Sequence, residues 1–123
     1  MAHISLTLDC NSPQKLAPFW VGALGYEQTQ TDGPYVVLAG APDGIPDLLL
    51  QEVPEPRTAK NRMHVDIMVP DFEAEAVRLE RLGARRLEAS SRRESGVSWI
   101  VMADPEGNEF CVGDHAWLPQ DQR

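Results

Sequence analysis

One pattern occurs twice along the chain: an alternating strand, a capped helix ending in Leu-Gly, and three strands with a Pro-acid-Gly turn. Leu24-Gly25 and Leu82-Gly83 mark the helix ends, while Pro42-Asp43-Gly44 and Pro105-Glu106-Gly107 mark the turns. A period of about half the chain predicts a duplicated βαβββ unit, because a solenoid needs at least ~3 shorter repeats. Each half has one helix to cover one face of its sheet, which leaves the other face free to line a cavity. The expected class is α+β, with modules over about 3–53 and 62–115, a linker over 54–61, and a single domain spanning 1–123. A chain of 123 residues buries roughly two-thirds of its unfolded surface, enough for one compact domain.

In the first half, Ile4, Leu6 and Leu8 alternate with Ser5, Thr7 and Asp9, the mark of a half-buried strand. Ser12 and Pro13 suit the N-cap and first position of a helix whose stripe is Leu16, Phe19, Trp20, Ala23 and Leu24. Pro18 falls inside that stripe, so a kink or a late start is expected. A short strand over Tyr26–Thr29, a turn at Asp32-Gly33-Pro34 and strands over Tyr35–Ala39 and Leu48–Val53 follow, the last two joined around Ala41–Gly44. Pro54 and Pro56 make the stretch after Val53 an ordered linker.

In the second half, Val65, Ile67 and Val69 share one strand face and His64, Asp66 and Met68 the other. Asp71 caps a helix with the stripe Phe72, Ala76, Leu79 and Leu82; Glu73 and Glu75 sit near its positive end, Arg78 and Arg81 near its negative end. A strand over Arg85–Ala89, a loop over Ser90–Gly96 and a hairpin over Trp99–Asp114 complete the module, and a polar tail begins at Trp117. Pro105 presets φ for the hairpin turn, Gly107 takes positive φ without a Cβ penalty, and Asp104 and Asn108 can bond nearby backbone. Glu109 lies outside this structural account. It points away from Phe110 and Val112, and a carboxylate among apolar neighbours needs a partner or water.

The net charge of -8 argues against nucleic acid or an anionic membrane as partner. Two cysteines, Cys10 and Cys111, are too few for a disulfide scaffold and make a reduced cytoplasm the default compartment. Neither a signal-peptide core nor a long apolar run occurs, so an unexported chain is expected. Phosphate loops, nucleophile elbows and Cys-pair zinc motifs are also missing from the sequence.

The paired pattern resembles the glyoxalase/bleomycin-resistance/extradiol-dioxygenase, or vicinal oxygen chelate, superfamily in its glyoxalase-like domain branch. The residues that carry the resemblance are Phe19-Trp20 through Leu24-Gly25-Tyr26, the linker from Val53 to His64, and Ala103 through Phe110; together they reach across the chain from Ile4 to about Asp114. The resemblance implies curved mixed sheets forming a concave, barrel-like cavity, and a homodimer. It also implies metal ligands on the first and last strands of each module. Carried over, these fall on His64 and Glu109 in the second module, but on Ser5 and either Leu48 or Leu49 in the first, with Gln51 the nearest polar group.

Zn and similar ions generally need three or four protein ligands, so two are too few; His3 and His115 are further candidates for a third. The expectation is therefore no cofactor, with a divalent Zn, Ni, Fe or Mn ion on His64 and Glu109 as the alternative. The expected activity is binding of a small apolar or aromatic ligand, of a sequestering or resistance type, lined by Ser5, Thr7, Asp9, Gln51, Asp66, Met68, Trp99 and Cys111. The competing expectation is an enzyme: a metal-dependent lyase, isomerase or dioxygenase, or a metal-free acid-base catalyst using His64 and Glu109. Met102 is a further candidate for a soft wall with Met68 and Trp99. Arg57, Lys60 and Arg62 read as solvated linker charges or as a rim for an anionic ligand.

Overall fold

A computed structural model describes residues 5–40, 45–61, 63–94 and 97–114. The turn over Ala41–Gly44, Gly96, His3, His115, Arg62 and the tail from Trp117 lie outside the described residues. The chain forms two compact units, one ending at Thr58 and the other beginning at Ala59.

The first unit holds β1 (Ser5–Cys10), α1 (Pro13–Leu24), β2 (Glu27–Asp32), β3 (Tyr35–Ala39) and β4 (Asp47–Glu52), in the sheet order β1-β4-β3-β2. Strand β1 runs parallel to β4, and the other pairs are antiparallel. Register places Leu6 opposite Leu48 and Leu8 opposite Leu50, so these four share one face, while Ser5, Thr7, Asp9, Leu49 and Gln51 share the other. The helix packs across β2, β3 and β4. Its stripe of Leu16, Phe19, Trp20 and Ala23 is buried together with Val36, Leu38, Leu48 and Leu50. Phe19 and Trp20 meet edge to face at 5.1 Å.

The helix begins at Pro13 and carries Pro18 within it. Gln14, whose carbonyl would have accepted from residue 18, is exposed, as is Pro18, so water can replace the missing bond. Ser12 occupies the N-cap through its backbone, its carbonyl accepting from Lys15 and Leu16, and makes no side-chain cap. The Asn11 side chain instead donates to the carbonyls of Val53 and Glu55, which ties down the start of the linker.

The second unit repeats the plan with β5 (Val65–Met68), α2 (Phe72–Leu82), β6 (Arg85–Arg86), β7 (Arg92–Glu94), β8 (Val97–Ala103) and β9 (Glu109–Gly113). The order is β5-β9-β8-β6, with β7 also on β8 and β5 parallel to β9. Asp71 caps α2 through its side chain, which accepts from the amide of Ala74 at 3.1 Å, and both helices end in left-handed glycines, Gly25 and Gly83. The helix packs on β6, β8 and β9. Ala76 and Leu79 are buried, as are Ile67, Ile100, Met102, Phe110 and Val112 of the sheet.

The β8-β9 turn is held by Asp104, which is 1% exposed. Its Oδ1 accepts from the amides of Glu106 and Asn108, both at 2.9 Å, and its Oδ2 from the Asn108 side chain at 2.9 Å. Gly107, at φ 88°, donates to the Asp104 carbonyl.

Two strands differ from the expectation. Strand β2 extends to Asp32 through six exposed residues, an edge with no apolar alternation to announce it. Past α2, the strand stops at Arg86 and resumes at Arg92, both segments pairing with β8, while the bulge of chain between them leaves Leu87 exposed.

Candidate functional site

Strand alternation assigns the open face of the second sheet. Because Phe110 and Val112 are buried, Glu109, Cys111 and Gly113 face the other way. Register then adds Asp66 opposite Cys111, Met68 opposite Gly113, and Val101 and Trp99 from β8. Met68, Trp99, Val101, Glu109 and Cys111 are half-buried there, and His64 and Asp66 are exposed. Met102 does not join this wall. Its register partner is Phe110 and it is fully buried, which puts it on the face away from Met68 and Trp99.

One histidine-carboxylate contact and one ion pair organise the polar groups. His64 Nδ1 lies 2.8 Å from Asp66 Oδ1, and Lys60 Nζ lies 2.6 Å from Glu109 Oε2. The carboxylate against the histidine is thus that of its neighbour two residues along β5, and the carboxylate of Glu109 meets an ammonium from the linker. Lys60 was legible as a linker charge or as a rim for an anionic ligand, and nothing in its spacing links it to a residue 49 positions away.

Cys111 lies opposite Asp66 in register and hydrogen-bonds it. Burial, the charge of Asp66 and that of Glu109 raise its thiol to about 11, against the opposing pull of Lys60. The thiol is therefore protonated near neutral pH. Neither cysteine is in a disulfide.

In the first unit, Ser5, Thr7 and Asp9 are exposed and Gln51 is half-buried, register setting Asp9 against Gln51 and Gln51 against Tyr35. They form a polar strand face. A separate cleft of about 420 Å³ lies at the start of α1, bounded by residues 11–15, Gly33, Val36 and Glu52. None of the four borders it.

The resemblance implies a divalent metal, and the donor set tests that implication. Glu109 Oε2 lies against Lys60 Nζ at 2.6 Å, so a cation on the His64 and Glu109 pair would have to displace that ammonium. Among the described residues, however, one nitrogen, one oxygen and one sulfur donor converge: ligand atoms of His64, Asp66 and Cys111 lie within 4.8 Å of one another. That set fits a cation that accepts mixed ligands, and a bound ion would supply Lewis-acid polarisation of an oxygen-bearing ligand. Among the described residues no helix is long and apolar enough to cross a membrane.

A glyoxalase-like domain model matches residues 5–113. No curated protein matches the chain. Among solved structures, a glyoxalase/bleomycin resistance protein/dioxygenase family enzyme from Burkholderia phytofirmans PsJN is similar at TM-score 0.76 and 14% identity, covering 92% of this chain and 98% of its own. Lactoylglutathione lyase from Agrobacterium tumefaciens is similar at TM-score 0.66 and 19% identity, covering 94% and 95%. TioX from Micromonospora sp. ML1 follows at TM-score 0.62 and 18% identity, covering 94% and 99%. At these identities the structures speak for the fold, and with the family match over nearly the whole chain the protein belongs to the glyoxalase-like domain family of the vicinal oxygen chelate superfamily.

Proposed function

We propose that the protein binds a small apolar or aromatic molecule against the open face of its second sheet, as a sequestering or resistance-type module. The observation that carries this reading is the composition of that face. Half-buried Met68, Trp99 and Val101 offer apolar and aromatic contact, and His64, Asp66, Glu109 and Cys111 beside them offer a few polar groups that can fix orientation. Gly113 pairs in register with both Met68 and Trp99, so the two large side chains flank a position that has none. Kinship supports a homodimer; sedimentation should then give twice the 13.7 kDa chain mass.

Thermal melts and fluorescence titrations with a panel of planar aromatic compounds test the reading. A binder should raise the melting midpoint, and Trp99→Leu should weaken it by at least about tenfold, the loss of one aromatic anchor. Failure of every compound, or an unchanged affinity in Trp99→Leu, would reverse it.

A second reading, acid-base catalysis, is favoured by the His64 and Asp66 pair. A carboxylate at Nδ1 assigns that nitrogen the proton of the neutral ring and leaves Nε2 as the base. Under this reading Asp66 orients His64.

A further inference from the structure

We propose that the cleft at the start of α1 is a second binding site, for a small zwitterion of the amino-acid class, on the helix-covered side of the first sheet. This site belongs to the first unit and does not depend on binding at the open face of the second sheet.

Register places the cleft. Val36 pairs with Leu50, and Glu52, two residues beyond Leu50, shares its face by alternation, the face that α1 covers. The polar face of Ser5, Thr7, Asp9 and Gln51 is the opposite one. The cleft of about 420 Å³ therefore opens at the end of the helix-covered layer, with the buried side chain of Val36 at its floor.

Its walls are fixed by the chain itself. The Cys10 carbonyl accepts the amide of Val53 at 2.8 Å, and the Pro34 carbonyl accepts that of Glu52 at 2.7 Å. The Asn11 side chain adds bonds to the carbonyls of Val53 and Glu55 at 2.9 and 3.0 Å. Together these join the ends of β1 and β4 and the turn between β2 and β3 around the opening. Gly33 takes φ 58° in that turn, and nothing lies within 4 Å of where its Cβ would stand, so no side chain closes the mouth.

Charge selects the ligand. Lys15 and Glu52 border the same cleft with opposite signs, and both are exposed. Among the described residues neither side chain makes an ion pair or a hydrogen bond. A molecule with a carboxylate and an ammonium can meet Lys15 with one and Glu52 with the other, two charge-assisted contacts in one binding event. An ion of a single sign gains one contact and stands near a like charge. Asn11, Ser12 and Gln14 add polar groups, and Val36 is 1% exposed, so the site suits amino acids with small or polar side chains. Its volume falls within the usual range of ligand pockets, about 300–1,000 Å³.

The test is titration of the full chain, at neutral pH and low salt, with glycine, serine, glutamine and γ-aminobutyrate, read by calorimetry and by amide shifts in ¹H-¹⁵N spectra. Expected is one equivalent of at least one of the four, with shifted amides at Asn11, Gln14, Lys15, Gly33 and Glu52. N-acetylation of that amino acid, or conversion of its carboxylate to an amide, should each weaken binding at least about tenfold, as should Lys15→Met and Glu52→Gln. Both positions are exposed, so the variants keep the fold, which circular dichroism checks. Trp99→Leu should leave the affinity unchanged. No saturable binding of any of the four at millimolar concentration, equal affinity for the singly charged derivatives, or amide shifts confined to the second sheet would overturn the proposal. Undiminished binding in either Lys15→Met or Glu52→Gln would do the same. Failure of the aromatic panel with zwitterion binding intact would overturn only the reading of the second sheet.

Discussion

The ammonium of Lys60 stands 2.6 Å from the carboxylate of Glu109, joining the linker to the last strand of the second module. The Glu109 side chain is 13% exposed and that of Lys60 is 73% exposed, so water screens one partner far more than the other. A double-mutant cycle over Lys60→Ala and Glu109→Ala, read by urea unfolding, should give a coupling of about 0.2–1 kcal/mol. A coupling several times larger would mean that the pair is much less solvated than its lysine end indicates.

Asp104 should be far less tolerant of change. Its buried carboxylate accepts two amides and the Asn108 side chain, and truncation strands those donors. Asp104→Ala should cost about 2–4 kcal/mol in urea unfolding. A loss below about 1 kcal/mol would show that water takes over those donors without difficulty.

Cys111 should alkylate slowly. A thiol raised from 9.0 to about 11 holds, at pH 8, about a hundredfold less thiolate than an ordinary cysteine. In chelator-treated Cys10→Ser protein, iodoacetamide labelling should therefore rise about tenfold per pH unit and level off only near pH 11. A plateau at pH 9 would show that Asp66 and burial do not act on this thiol as described.

Gly113 leaves no room for a methyl group. A Cβ there would come within 2.7 Å of the Ser98 carbonyl and 3.0 Å of Trp99 Cβ. Gly113→Ala should destabilise by about 1–3 kcal/mol through forced strand displacement, measured as a lowered thermal midpoint. An unchanged midpoint would show that β8 and β9 part easily at their ends.

The fold was legible where periodicity and capping coincide. Leu6 and Leu8 alternate with Ser5 and Thr7, and Asp71 and Gly83 bound α2 as their chemistry suggests. Legibility failed where neighbours, not side chains, decide. Strand β2 is polar throughout and exists because β3 offers it an edge. Leu87 and Ala89 looked like strand, but the register with β8 is made at Arg85–Arg86 and Arg92–Glu94, and between them Leu87 adds one amide bond to the Val101 carbonyl. At the candidate site, His64, Asp66, Glu109 and Cys111 could each be placed on a face from alternation alone. Which carboxylate meets which cation could not. That depends on the offset of β5 against β9, fixed by hydrogen bonding between segments far apart in sequence, and on the path of the linker that delivers Lys60.

In both modules the opening strand pairs with the closing one, so β1 waits for Leu48 and Leu50, and β5 for Phe110 and Val112, before either apolar flank is covered. A growing polypeptide therefore has no finished sheet to rest in until the final strand of a module leaves the ribosome. Slow, long-range loop closure, more than hairpin formation, should set the pace at which each half acquires its shape.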